Sequence, residues 1–304
     1  MPGAELLQMA DFYADLADRW PAGDIRMQRD VAERLHMLAT EPEGVTYAEV
    51  DAGGVPAIWA IPVDSSPDHV LLHSHSGGSV VSSMYMDRKA VAHLAKAAGM
   101  RALIINFRLA PENKFPAQLD DVEAAFNWLL SQGFDASRIV SIGHSIGGNY
   151  AVNLALTLAR KGMATPGAVL SMSPWFDMEV KHKTVQTHAH LDKQLTREML
   201  LGFSDLMLDG TGVSRSDPRI NLAHADPAGL PPTMIYYGDQ EILAGDAIDF
   251  AERAQKAGVD VTLRALAGGQ HNFILGAGRV PEIDASIVEM AGWMRARLGL
   301  PAVA

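Results

Sequence analysis

Cysteine is absent from the 304 residues, which removes disulfides, a thiolate nucleophile and Cys-ligated zinc in one step. Cations are in deficit: 25 Lys and Arg stand against 36 Asp and Glu, for a formal net charge of −11. Nucleic-acid binding relies on clustered Lys and Arg to neutralise phosphates, and no such run is visible, so no nucleic-acid partner is expected. Long apolar runs are missing too. No window reaches the roughly 18 to 20 apolar residues of a membrane span, so membrane insertion is not expected either. The opening stretch "MPGAELLQMADFYADLADRW" mixes Asp and Glu with its apolar residues. It lacks the positive and apolar regions of a secretory signal, and the expected location is cytoplasmic.

With 48% hydrophobic residues and 20% charged, the chain has the composition of an ordinary globular protein with an ample core. Residues 1–43 are amphipathic, with Leu6, Met9, Phe12, Leu16 and Trp20 at helical spacing. From Val45 the pattern changes to short β-rich runs: "VTYAEVDAGG", "VPAIWAIPV", "HVLLHSHS", "ALIINFRLA", "RIVSIGHS", "GAVLSMSPW", "TMIYYGD" and "VTLRALAG". The later runs alternate with helical segments near 87–98, 118–131, 147–161, 245–257 and 284–297. That alternation predicts an α/β fold with a mostly parallel sheet covered on both faces. Lys181 to Asp226 breaks the rhythm, being long and rich in His, Asp and Met around a helical "TREMLLGFSDLML". We expect residues 44–180 and 227–304 to form the catalytic domain. The 181–226 insertion and residues 1–43 are expected to form a helical cap.

The segment "RIVSIGHSIGGNYAVNLALTLA" reads as an apolar strand, then Gly143-His144-Ser145-Ile146-Gly147, then a helix. This is G-x-S-x-G in the strand-turn-helix setting that gives the motif meaning, with Ser145 exposed at a tight turn. The helix start behind it offers an amide and partial positive charge to a developing oxyanion. A P-loop reading fails for want of its Lys. A serine hydroxyl needs a general base. His271, in the Gly-rich "RALAGGQHNFILG" after the last strand, would arrive at the same carboxyl edge of the sheet. The acid that orients it has two candidates in "YYGDQEIL": Asp239, nearest the strand, and Glu241.

These motifs, with "HSHSGG", "NFRLAPENKFPAQLDDV", "SPWFDM" and "QHNF", make the chain from about residue 45 onward resemble the hormone-sensitive-lipase-like α/β-hydrolases. Within them it is most similar to bacterial carboxylesterases and monoterpene ε-lactone hydrolases. The resemblance implies an α/β-hydrolase fold with a helical cap. It implies a serine carboxylic ester hydrolase that forms an acyl-enzyme on small or medium acyl groups without a cofactor. Lactone, amide and carbamate hydrolysis remain open, because they use the same machinery. A non-catalytic small-molecule receptor on this fold is a remote alternative, opposed by the retained His271. A homodimer through a sheet edge is compatible with either.

By the same resemblance, "HSHSGG" corresponds to the family's His-Gly-Gly-Gly loop. The backbone N–H groups of Gly77, Gly78 and Ile146 would form the oxyanion hole, and His75 would brace the loop. Glu241 is favoured over Asp239 because it sits at the family's position for the acid. Ser76 replaces the first glycine and carries a hydroxyl that could meet substrate. Ile146 is bulkier than usual and is expected to narrow the acyl side, and Asn106 replaces an Asp whose ion pair must be lost or remade. In the cap insertion, Met199, Phe203, Leu206 and Met207 are apolar candidates for lining the substrate pocket. His73 and His75 share strand spacing, and His188 and His190 could supply a third metal ligand. Nothing in the sequence brings these together, so no metal is expected and His73 reads as a core histidine.

Overall fold

The eight β-rich runs all become strands of one sheet, in the order β1-β2-β4-β3-β5-β6-β7-β8, in a computed structural model that describes residues 2–301. They are β1 (Val45–Asp51), β2 (Pro56–Pro62), β3 (Ser66–Ser74), β4 (Met100–Ile105), β5 (Ile139–His144), β6 (Ala168–Met172), β7 (Thr233–Gly238) and β8 (Val261–Leu266). The pairings of β1 with β2 and β2 with β4 are antiparallel, and the rest are parallel. Parallel neighbours need long crossovers, which the helices provide. The helices are α1 (Ala4–Asp18), α2 (Ile25–Glu33), α3 (Met84–Ala98), α4 (Ala117–Ser131), α5 (Ile146–Arg160), α6 (Thr184–Thr187), α7 (Arg197–Leu208), α8 (Ala244–Lys256) and α9 (Pro281–Arg297).

The central strands are largely apolar and buried where both faces are covered. In β4, Met100, Ala102 and Ile104 share one core with residues of α1, α3 and α9. Leu103 and Ile105 point the other way, into a core shared with α4, α5 and α7. A strand's two-residue period thus splits one hydrophobic run between two cores. Each fully buried Leu, Ile or Phe contributes roughly 1.5–3 kcal/mol.

Residues 2–43 are mostly helical, through α1, α2 and a 3₁₀ turn at Arg34–Met37, but α1 is more than a flap. Its buried face, Leu6, Met9, Tyr13 and Leu16, belongs to the core that also holds Phe273 and α9. In the 181–226 insertion, α7 begins where Thr196 Oγ1 accepts the Met199 N–H at 3.1 Å, satisfying one of the helix's unpaired donors. Asn106 takes no ion pair; its Oδ1 accepts the Met84 N–H at the start of α3, 3.2 Å away. The charge pairing falls to Arg108 and Asp121, joined by bonds of 2.7 to 3.0 Å. Among the described residues no helix is long and apolar enough to cross a membrane.

Candidate active site

β5 delivers Ser145 into a turn of φ 59° and ψ −125°, a backbone region that costs a non-glycine residue on the order of 1–3 kcal/mol. Close packing around the turn holds it there. A Cβ on Gly143 would collide with the carbonyl oxygen of Gly147, one on Gly147 with that of Ser74, and one on Gly148 with the Ser171 hydroxyl. The glycines of the motif are therefore steric requirements of bringing α5 against β3 and β6. The Ser145 N–H donates to Met172 O at 3.0 Å, and its carbonyl accepts from Trp175 at 3.1 Å.

His271, on the loop after β8, meets this serine. Its Nε2 lies 3.0 Å from Ser145 Oγ and its Nδ1 lies 2.6 Å from Glu241 Oε2. That arrangement suits the tautomer in which Nδ1–H donates to the carboxylate and Nε2 accepts from the hydroxyl. The other oxygen of Glu241 accepts the Gly238 N–H at 3.0 Å. Asp239, the alternative acid, turns away. It is half-buried and accepts from the Gly268 N–H and from Gln240 Nε2, both at 2.8 Å. Burial works against charge on both members of the His271–Glu241 pair, raising the carboxyl's pKa and lowering the imidazole's.

At the end of β3, the loop corresponding to "HSHSGG" turns back on itself, with Val80 and Val81 N–H both donating to Gly77 O at 3.0 Å. Gly77 has φ 99° and Gly78 φ 60°. A Cβ on Gly77 would strike the Val81 carbonyl, and one on Gly78 would strike the Phe203 ring. Among the described residues the N–H groups of Gly77, Gly78 and Ile146 have no protein acceptor. His75 Nδ1 donates to Ser76 O at 2.7 Å, and its ring stacks on Phe107 with 3.9 Å between centroids. The Ile146 side chain does not narrow the cleft as expected. It follows Ser145 into a helix and is buried in the core, away from the lining.

Ser145 and His271 open into a cleft of about 630 Å³, counted to include its mouth. Ser76, Met199 and Phe203 line it, with Tyr13, Leu16 and Trp20 from the N-terminal segment. Trp20 meets Phe203 edge to face at 6.2 Å. Leu206 and Met207 are corrections to the expected pocket. The first two turns of α7 cover the cleft, and residues one turn further on have passed it. Leu206 packs against the core, and Met207 is buried beside Tyr150, its Sδ 3.7 Å from the hydroxyl.

Asp192 and Lys193 carry no motif and escaped the sequence reading, which weighed His188 only as a metal ligand. Asp192, from the 181–226 insertion, accepts the Ile242 N–H at 2.9 Å, immediately after Glu241. Lys193 N–H donates to Gln270 Oε1 at 2.7 Å, immediately before His271. His188 Nδ1 donates to the Glu241 carbonyl at 3.0 Å. The insertion thus grips both loops that carry Glu241 and His271. His188 is committed there, and His73 and His75 go to different partners, so the four histidines form no common ligand set. His73 is not a lone core residue: with Asp87 and His144 it makes a fully buried cluster whose ligand-type atoms lie within 4.8 Å of one another. Both imidazoles in it hydrogen-bond to the same carboxylate oxygen, an arrangement that suits shared protons better than ligands spread around an ion.

Residues 71–275 match the family model for the alpha/beta hydrolase fold. An esterase of Acinetobacter venetianus is 28% identical over 86% of each chain. An acetyl-hydrolase of Streptomyces hygroscopicus is 34% identical over 70% of each. The crystal structure of an esterase from the bacterial hormone-sensitive lipase family superposes with a TM-score of 0.94 at 32% identity, covering 98% of this chain and all of that one. With its eight-stranded, mostly parallel sheet, its G-x-S-x-G turn and these likenesses, the chain is a carboxylesterase-type hydrolase that belongs to the hormone-sensitive-lipase family of α/β-hydrolases.

Proposed function

We propose that the protein hydrolyses carboxylic esters of small or medium acyl groups through an acyl-enzyme on Ser145. Ser145 Oγ attacks the ester carbonyl carbon while His271 Nε2 takes its proton. The carbonyl electrons move to the oxygen, which the N–H groups of Gly77, Gly78 and Ile146 receive. Such donors are each worth roughly 2.7–4 kcal/mol in the transition state. Collapse expels the alcohol, which takes the proton from His271. Water, deprotonated by the same imidazole, then attacks the acyl-enzyme; collapse breaks the bond to Ser145 Oγ, which takes the proton back from His271 as the acid leaves. Glu241 holds the ring and stabilises the imidazolium that forms at each stage.

The observation that carries this reading is His271, bridging Ser145 Oγ at 3.0 Å and Glu241 Oε2 at 2.6 Å. The relative that is an acetyl-hydrolase and the apolar residues over the cleft support a short acyl chain. We read residues 1–43, the first of which lies outside the described residues, and 181–226 as the cap that receives it. The test is release of p-nitrophenol from acetate, butyrate and octanoate esters by the wild type and Ser145→Ala. Loss of a nucleophilic serine costs roughly 10⁵- to 10⁶-fold in kcat, with acetate and butyrate turned over faster than octanoate. Equal turnover by the alanine variant would overturn the proposal.

A further inference from the structure

Beneath the cleft lies a second buried acid with histidines around it. Asp87, in the first turn of α3, is fully buried. Its Oδ2 accepts from His73 Nε2 at 2.7 Å and from His144 Nε2, while its Oδ1 has no partner. The His144 ring lies against His73 with centroids 5.6 Å apart. Its other nitrogen, Nδ1, lies 2.9 Å from the side-chain amide of Asn272. Two protonation patterns fit. A neutral His144 spends its one proton on Asp87 and accepts from the Asn272 amide nitrogen. A doubly protonated His144 donates to the amide oxygen, with Asp87 as its counterion. In both, Asn272 is held.

The placement of the two ends gives this chain its meaning. His144 immediately precedes Ser145, and Asn272 immediately follows His271. Asn272 has φ 58°, and its carbonyl accepts from the Tyr13 hydroxyl at 3.0 Å. The bond between His144 and Asn272 spans 128 residues of sequence and ties the serine's turn to the histidine's loop. We infer that Asp87, His144 and Asn272 form a positioning chain that sets the distance between Ser145 and His271, resting on the proposed roles of those two. A displacement near 1 Å at reacting groups can cost about 100-fold in rate, so a buried brace one residue from each has leverage that a brace elsewhere lacks.

Asp87→Asn, Asn272→Gly and their combination test it, with Ser145→Ala as control. Glycine keeps the positive φ while deleting the side chain. In protein verified as folded by circular dichroism, each single variant should lose about 10- to 100-fold in kcat on p-nitrophenyl butyrate with KM nearly unchanged. The double variant should be no worse than the worse single one, because both cut the same chain. If Asp87→Asn does not fold, Asn272→Gly alone decides. Wild-type kcat in the folded variants, or losses that multiply, would overturn the inference while an inactive Ser145→Ala left the triad intact. An active Ser145→Ala would bring down both.

Discussion

In the floor of the cleft, at the carboxyl ends of β3, β5, β7 and β8, functional groups are fixed by several bonds each. Glu241 uses both carboxylate oxygens, His271 both nitrogens, and Ser145 is locked at positive φ by glycines with no room for a methyl group. The roof is built differently. Trp20, from the segment after α1, and Met199 and Phe203, from α7, present mostly apolar surface, which resists deformation through packing rather than directed bonds. Hydrogen-bond geometry fails abruptly when one partner changes, whereas packing changes by degrees. Substitutions in the floor should therefore act on rate, and those in the roof on selectivity.

Two floor carboxylates give the largest contrast. Glu241→Gln should lower kcat by about 10⁴-fold, the scale seen when a triad acid can no longer hold the correct imidazole tautomer. Asp239→Asn, which only holds a loop, should stay within about ±0.5 kcal/mol, or two- to threefold. Comparable losses in both would erase the distinction. In the roof, Phe203→Ala opens space over Gly78 and should raise octanoate relative to acetate turnover by about tenfold, the order that one or two methylenes contribute. A uniform loss on all chain lengths would mean that Phe203 acts on the rate.

A further contrast concerns how well the floor is sealed. Burial lowers the pKa of His75 from 6.5 to about 4, so between those values the unfolded chain binds a proton that the folded one refuses. Stability is then lost as pH falls below 6.5, by up to about 1.4 kcal/mol per pH unit from this residue. Urea unfolding from pH 6.5 to 4 should show a shallower decline in His75→Gln than in the wild type. Identical slopes would mean that His75 takes up its proton in the folded state.

The same division explains what the sequence made legible. Ser145 and its glycines were readable because only small residues fit around that turn, and the central strands because a buried parallel sheet demands apolar runs. His271 followed from chain order. Glu241 and Asp239 stayed level on the residues themselves, since both end the same strand and only the loop's path decides which turns inward. Leu206 and Met207 share apolarity with Met199 and Phe203 but lie beyond the helical turns that cover the cleft. Ile146 looked like a wall of the pocket because the turn that hides its side chain is tertiary. Asp87 and Asp192 belong to no motif, Asn272 sits in "QHNF" without a role read for it, and partners as far apart as His144 and Asn272 have no local signature.

The most direct measurement of the central claim uses diethyl p-nitrophenyl phosphate, whose slow hydrolysis stops a serine hydrolase at the covalent stage. One equivalent of p-nitrophenolate should be released per active chain, with the diethylphosphoryl group on the peptide carrying Ser145 and esterase activity lost in proportion. Activity that persists with Ser145 fully labelled, or complete inactivation with the label on another residue, would contradict it.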